Sequence, residues 1–190
     1  MLTLAINTAS QESAVALIHE GVLLGEVSWE SAANESKKVI PSAEKILKEA
    51  DKAWQDLTHV FVVKGPGSYT SLRVGISIAN ALAWQLNIPL ITTDVYAIWK
   101  HRIDPQVENP LIAVAAGRDF YIIEGEDGRF TAEELSERSQ PMYGELPGAN
   151  KPAFTFGQAL TSIKIEELES VKSVEPLYNA PPNITKPKGA

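Results

Sequence analysis

Three apolar runs, Leu2–Asn7, Ser13–Ile18 and Val22–Trp29, follow one another so closely that they constrain the fold more than any other feature of the chain. Each reads as a short strand. Parallel neighbours need a crossover of about a dozen residues or more, and the connections 8–12 and 19–21 are far shorter, so the three are expected as an antiparallel meander. Beyond them Val39, Ile40, Ala43, Ile46, Leu47 and Ala50 recur at helical spacing, with Lys37, Lys38, Glu44, Lys45 and Lys48 between them. Pro41 interrupts this pattern: either the helix starts near it, with proline in the first turn, or it starts at Ser36 and bends. "HVFVVK" (His59–Lys64) reads as a buried strand, Leu72–Leu86 as a second helix stopping at Asn87, and "IPLITTD" as another strand. The order is then βββαβαβ, an α/β plan with a parallel portion and helices packed on the sheet. Actin, the sugar kinases and the chaperone ATPases share this half-domain plan, an analogy at the level of fold alone.

Between the His59–Lys64 strand and the second helix lies "KGPGSYTSLRVG", Lys64–Gly75, which has the look of a phosphate loop. A Walker loop closes on Gly-Lys-Ser/Thr, because the lysine and hydroxyl reach the phosphates and the magnesium; here Tyr69, Thr70 and Ser71 stand in that place. The dinucleotide fingerprint also fails, for Gly65 and Gly67 have no third glycine at the required spacing. A structural account uses more of the residues. Pro66 fixes φ and Gly67 tolerates positive φ, so Gly65, Pro66, Gly67 and Ser68 suit a type II turn, after which Ser68 or Thr70 caps the helix. Ser71, Gly75, Ala79 and Ala83 then line one stripe of that helix with small side chains. Such a stripe packs closely either on this chain's own elements or on another protein, and Gly75 inside a helix calls for a packing reason. Arg73 lies in the first turn, where the helix dipole disfavours a cation, and is expected to pair with a carboxylate of this chain or of a second subunit.

The rest of the chain is less regular. Val95–His101 reads as a helix, "PLIAVAAG" as a strand and "FYIIEGEDGRF" as a hairpin turning at Asp127-Gly128. Thr131–Arg138 is a short helical candidate, "PMYGELPGANKP" a loop, "AFTFG" a strand, Ile163–Val171 an amphipathic helix and the proline-rich end an extended tail. The divisions are 1–98, 99–175 and 176–190. Asn183-Ile184-Thr185 matches a glycosylation acceptor by chance.

Composition narrows function. A formal charge of −7 works against a chain that grips nucleic acid by itself, because such grip comes from Lys and Arg neutralising phosphates. The acids from Glu124 to Glu137 read as a solvated face. With no cysteine there is no disulfide and no thiolate site, and His19, His59 and His101 form no metal-binding pair. No apolar run is long enough to span a membrane and the start lacks a secretory pattern, so a cytoplasmic protein is expected. Asn7, at the end of the first strand, is expected to be a turn residue bonding nearby backbone.

Taken together, "LAINTAS", "ESKKVIP", "GPGSYTSLRVG" with "NIPLITTD", and "EPLYNAPPNITKPK" resemble the bacterial TsaB, or YeaZ, family. The likeness covers the first lobe nearly continuously and then the tail. It implies an actin-like, hexokinase-like fold of two lobes, the second degenerate, and a non-catalytic scaffold. Such a subunit binds and activates the catalytic subunit TsaD for threonylcarbamoylation of a tRNA adenosine, together with the TsaE ATPase, and also forms homodimers. Contact with tRNA comes through the complex. The chain alone is expected to bind no cofactor or metal, with ATP or ADP at the joint interface with TsaD. Around the two first-lobe helices the expected interface is Ser36, Val39, Ile40, Ala43, Leu47, Ser71, Leu72, Arg73, Gly75, Ala79 and Ala83. Departures from the family pattern are Asn7 for an aspartate, Glu35 for a histidine, Ala115-Ala116-Gly117-Arg118 for Asp-Ala-Arg-Arg, and Asn179-Ala180 where an arginine is usual. Two other readings compete: a small ATP-dependent phosphotransferase of the same fold, against which the neutral Asn7 counts, and the catalytic subunit itself, which needs a His-x-x-x-His pair and a longer chain.

Overall fold

Strand β1 (Leu2–Asn7) is buried along its whole length, and an unbroken apolar run is what a strand covered on both faces requires. In the computed structural model, which describes residues 1–32, 34–117 and 119–178, β2 (Glu12–His19) pairs antiparallel with it, Leu4 opposite Leu17. Strand β3 (Val22–Glu30) continues the meander antiparallel to β2. On the other side of β1, β4 (His59–Val63) and β5 (Leu90–Thr93) add in parallel. Helices α1 (Glu35–Glu49) and α2 (Tyr69–Leu86) form the crossovers and pack against each other and the sheet. The expected βββαβαβ order of an actin-like half-domain is therefore present.

Of the two starts considered for α1, the structure has the earlier one, at Glu35, with Pro41 in the interior. Pro41 is exposed, so the carbonyl of Lys37, which it leaves without an amide partner, faces water rather than the core. At the other end of the second crossover Asn87 adopts a left-handed φ of 53° and its amide turns back to Ala83 and Trp84, ending α2 as expected.

After α3 (Val95–Arg102), capped by the Asp94 carboxylate accepting from the Ala97 amide at 2.8 Å, a separate small sheet forms. Its order is β7-β6-β8, from β6 (Leu111–Ala115), β7 (Tyr121–Ile123) and β8 (Met142–Gly144), with α4 (Ala132–Ser136) beside it. Four expectations change here. The hairpin reverses through a turn in which the Glu126 amide donates to Ile123, and Tyr121 and Phe130 exchange backbone bonds, so the bend precedes Asp127-Gly128. "PMYGELPGANKP" is not all loop, because Met142–Gly144 pairs in parallel with β6, burying Tyr143. "AFTFG" is not a strand: Thr155 accepts from the Gln158 amide and opens α5 (Phe156–Ser162) through a capping box. Ile163–Val171 is not a helix but a 3-10 turn at Ile165–Glu167 followed by β9 (Ser170–Val171).

Part of the segment expected as a second lobe is built onto the first sheet. Strand β9 pairs antiparallel with β5, completing the order β3-β2-β1-β4-β5-β9, and α5 packs on β2, β3 and α3. The principal core accordingly runs from Leu4 and Phe61 through Ile98 and Phe156 to Ile112 and Val114 of the small sheet.

Candidate functional site

The turn between β1 and β2 is the point on which the fold converges. Asn7 is fully buried, its Oδ1 accepts from the Ala9 amide at 3.0 Å and its Nδ2 donates to Ser10 Oγ at 3.3 Å, which is the turn-forming role expected of it. Two glycines admit this turn. A Cβ on Gly67 would overlap the Ala9 carbonyl and lie 2.7 Å from its carbon; a Cβ on Gly75 would overlap Thr8 Oγ1 and lie 3.1 Å from Thr8 Cβ. The glycine-rich loop is thus a seat for the turn.

Two details of the loop differ from expectation. Positive φ falls on Gly65, at +113°, across a cis Gly65–Pro66 peptide, not on Gly67, so a type II turn with Gly67 in the left-handed position is not formed. Gly67 is needed for the close approach instead. Ser68 occupies the N-cap position of α2 without a side-chain bond, and Thr70 is exposed within the first turn, so neither hydroxyl caps the helix. Arg73 has no carboxylate partner among the described residues. It donates to the Tyr69 hydroxyl at 3.0 Å, with its guanidinium 5.3 Å from the ring centre.

The small-residue stripe faces inward. Ser71, Gly75, Ala79 and Ala83 are buried within the chain, as are Val39, Ala43, Leu47 and Leu72. Among the residues expected at an interface, Ser36 and Arg73 are exposed and Ile40 half-buried. Glu35 is also buried: the Ser31 hydroxyl donates to its carboxylate and lies 3.2 Å from Ser71 Oγ, tying the start of α1 to the start of α2. What α2 does present outward is Arg73, Ser77, Ala81 and Trp84, the last 82% exposed. Sequence reading passed over Trp84. Its signal was position: it falls on the row of Arg73 and Ser77, away from Leu72 and Ile76, so an amphipathic α2 must leave the indole in water.

At the N-terminal end of α2 the tail returns. The Leu177 amide donates to the Lys64 carbonyl at 2.7 Å, and Tyr178 stacks on Tyr69 with ring centres 4.8 Å apart. The pair is partly exposed, so Tyr178→Ala is expected to cost about 1 kcal/mol in urea unfolding, with Tyr69 fluorescence reporting the lost stack. Asn179-Ala180, Asn183–Thr185 and Arg118 lie outside the described residues.

Beside the turn a cleft of about 430 Å³ is lined by Ser10–Glu12, Trp99, Arg102, Gly144–Glu145 and 151–155. Arg102 donates to Glu12 at 2.9 Å and to the Phe154 carbonyl at 3.2 Å, and lies over the Trp99 ring. Glu145 is 8% exposed. Burial pushes its carboxyl above the usual carboxylate range, against amide bonds from Ala115 and Gln11 that favour the charged form. No group of three metal-ligating side chains occurs among the described residues; His59 and His101 instead sit 2.9 Å from Thr58 Oγ1 and 2.8 Å from Ser162 Oγ. Neither Glu145 nor Arg102 was singled out from the sequence, where both look like surface charges; only the topology places them between sheets.

Comparison with known proteins gives these relations. The model of the family described as "TsaD: tRNA N6-adenosine threonylcarbamoyltransferase" matches residues 22–154. Over 90 residues the chain is 39% identical to tRNA threonylcarbamoyladenosine biosynthesis protein TsaB of Bacillus subtilis, 47% of this chain and 39% of that one. It is 29% identical to tRNA N6-adenosine threonylcarbamoyltransferase of Persephonella marina, over 94% of this chain and 58% of that one. The chain thus spans less than two thirds of the length of these curated relatives. The structure titled YeaZ from Pseudomonas aeruginosa shares the fold, with a TM-score of 0.72 at 19% identity, covering 93% of this chain and 99% of that one.

Proposed function

The chain belongs to the TsaD-type tRNA N6-adenosine threonylcarbamoyltransferase family, its likeness to TsaB and YeaZ supports the TsaB/YeaZ assignment within it, and from that membership we propose that it is a non-catalytic subunit that docks on and activates a TsaD catalytic subunit. The observation that carries this reading is the outward face of α2, where Trp84 stands 82% exposed on a helix otherwise anchored in the core. A large, rigid aromatic in water is the residue type that anchors interfaces. Arg73, held against Tyr69, lies on the same outward row of α2.

Two features support the non-catalytic part. Asn7 supplies no charge and spends both polar atoms on its own turn, and Gly67 of the loop packs against the Ala9 backbone. With a net charge of −7, tRNA is reached through the complex rather than gripped directly. In this reading the TsaE ATPase joins the assembly, nucleotide lies at the joint interface, the isolated chain pairs with itself, the site of action is the cytoplasm, and 1–98 is the lobe that carries the docking helices.

The test is association with TsaD, measured by light scattering and calorimetry. Trp84→Ala is expected to weaken it by about 2–4 kcal/mol, which is roughly 30-fold to 1,000-fold in Kd, with unchanged thermal stability because the indole touches solvent. Undiminished affinity in the variant would place the interface elsewhere. Turnover of substrate by the chain alone would sink the non-catalytic reading.

A further inference from the structure

The two oxygens of Glu145 are held from two different elements. Oε1 accepts from the Gln11 amide at 2.7 Å, in the β1–β2 turn of the large sheet, and Oε2 accepts from the Ala115 amide at 2.9 Å, at the end of β6 in the small sheet. Its own backbone is fixed as well: the Glu145 amide donates to the Ala113 carbonyl at 2.8 Å and Gln11 Nε2 donates to the Glu145 carbonyl at 3.4 Å. Two main-chain amides from separate elements, one on each carboxylate oxygen, make a cradle shaped for a two-oxygen anion, since each N–H carries a fixed partial positive charge. In this chain the occupant of the cradle is covalently its own.

We propose that the Glu145 carboxyl is the built-in occupant of this cradle, a latch that closes the large sheet on the small one and at the same time denies the cradle to small external oxyanions such as carboxylates or inorganic phosphate. The proposal does not depend on docking to TsaD, because it concerns the isolated chain. The turn at Gln11 is the one seated by Gly67 and Gly75, so the latch connects that seat to the second sheet. Without a side-chain acceptor, two partly buried amides lose their partner, which costs stability unless an anion or water takes its place.

Glu145→Ala is the first test, by thermal unfolding of the full chain with formate, acetate or phosphate added at constant ionic strength. A loss of roughly 5 °C in Tm is expected. Formate or acetate should restore part of it in the variant and leave the wild type unmoved; phosphate restoring more than formate would mean that the opened cradle takes the larger anion. A variant as stable as wild type, or one destabilised with no anion-specific recovery, overturns the proposal. Should Glu145→Ala fail to fold, Glu145→Gln serves, because its carboxamide offers one acceptor oxygen and turns an NH₂ toward the other amide. Hydrogen exchange at Gln11 or Ala115 should then be about tenfold faster than in wild type. Unchanged protection at both amides would overturn the latch.

Discussion

Gly67→Ala is expected to be among the most damaging single-methyl additions the chain can suffer, costing about 3 kcal/mol or more. The added Cβ meets backbone, 2.7 Å from the Ala9 carbonyl carbon and 2.9 Å from its Cα, so no rotamer change relieves it. One of the two segments must move, and both are tied down. The loop is held by the Val95 amide on the Gly65 carbonyl at 2.8 Å and by the Leu177 amide on Lys64. The turn is held by Asn7 on Ala9 and by Glu145 on Gln11. Gly75→Ala is the informative contrast. There the clash is with the Thr8 side chain, whose hydroxyl has no hydrogen-bond partner to lose, and the helix gains about 1 kcal/mol of propensity. Urea unfolding of the two variants should therefore separate them clearly, with Gly67→Ala the worse. Equal stabilities would mean that the turn does not need its seat.

The large sheet was legible in the sequence because its signals are local. Three runs with short connections can only form a meander, the spacing from Val39 to Leu47 can only be a helix with one buried face, and Asn87 stops α2 by its tolerance of left-handed φ. Reading faltered where tertiary contacts decide. Met142–Gly144 is a strand because β6 offers it an edge, and Ser170–Val171 because β5 does; neither triplet has periodicity of its own. Phe156–Ser162 was missed for a different reason: the Thr155-x-x-Gln158 capping box was present, but the apolar letters around it outweighed it. For the candidate site, the small-residue stripe was legible as a close-packing face, and the family resemblance assigned it to a partner interface. Burial of Ala79 and Ala83 settles its direction inward, because α1, β1 and β4 already cover that side of α2. Trp84 is what the outer side keeps.

Arg102 should prove the most expensive charge in the chain to remove, for reasons that have little to do with its salt bridge. It is 4% exposed, whereas the side chain of its partner Glu12 is 50% exposed, so water already shares the pair on the acid's side. The arginine does more from the other end. Its backbone carbonyl accepts from the Ala153 and Phe154 amides at 2.9 and 3.1 Å, its Nε donates to the Phe154 carbonyl, and its guanidinium covers the Trp99 ring at 4.6 Å. Truncation to alanine uncovers the indole, leaves the Phe154 carbonyl without its side-chain donor and leaves only the two backbone bonds to hold the segment that leads into α5, a loss of about 3 kcal/mol. Glu12→Gln keeps all of that and forfeits only a half-solvated charge, about 1 kcal/mol. Arg102→Lys should resemble alanine more than wild type, since one ammonium cannot reproduce a planar fork serving Phe154 and Glu12 at once while stacked on Trp99. Urea titrations followed by tryptophan fluorescence test the order. If Glu12→Gln cost as much as Arg102→Ala, charge pairing across the cleft, not the anchoring of residues 153–154, would be what holds α3 to the rest of the fold.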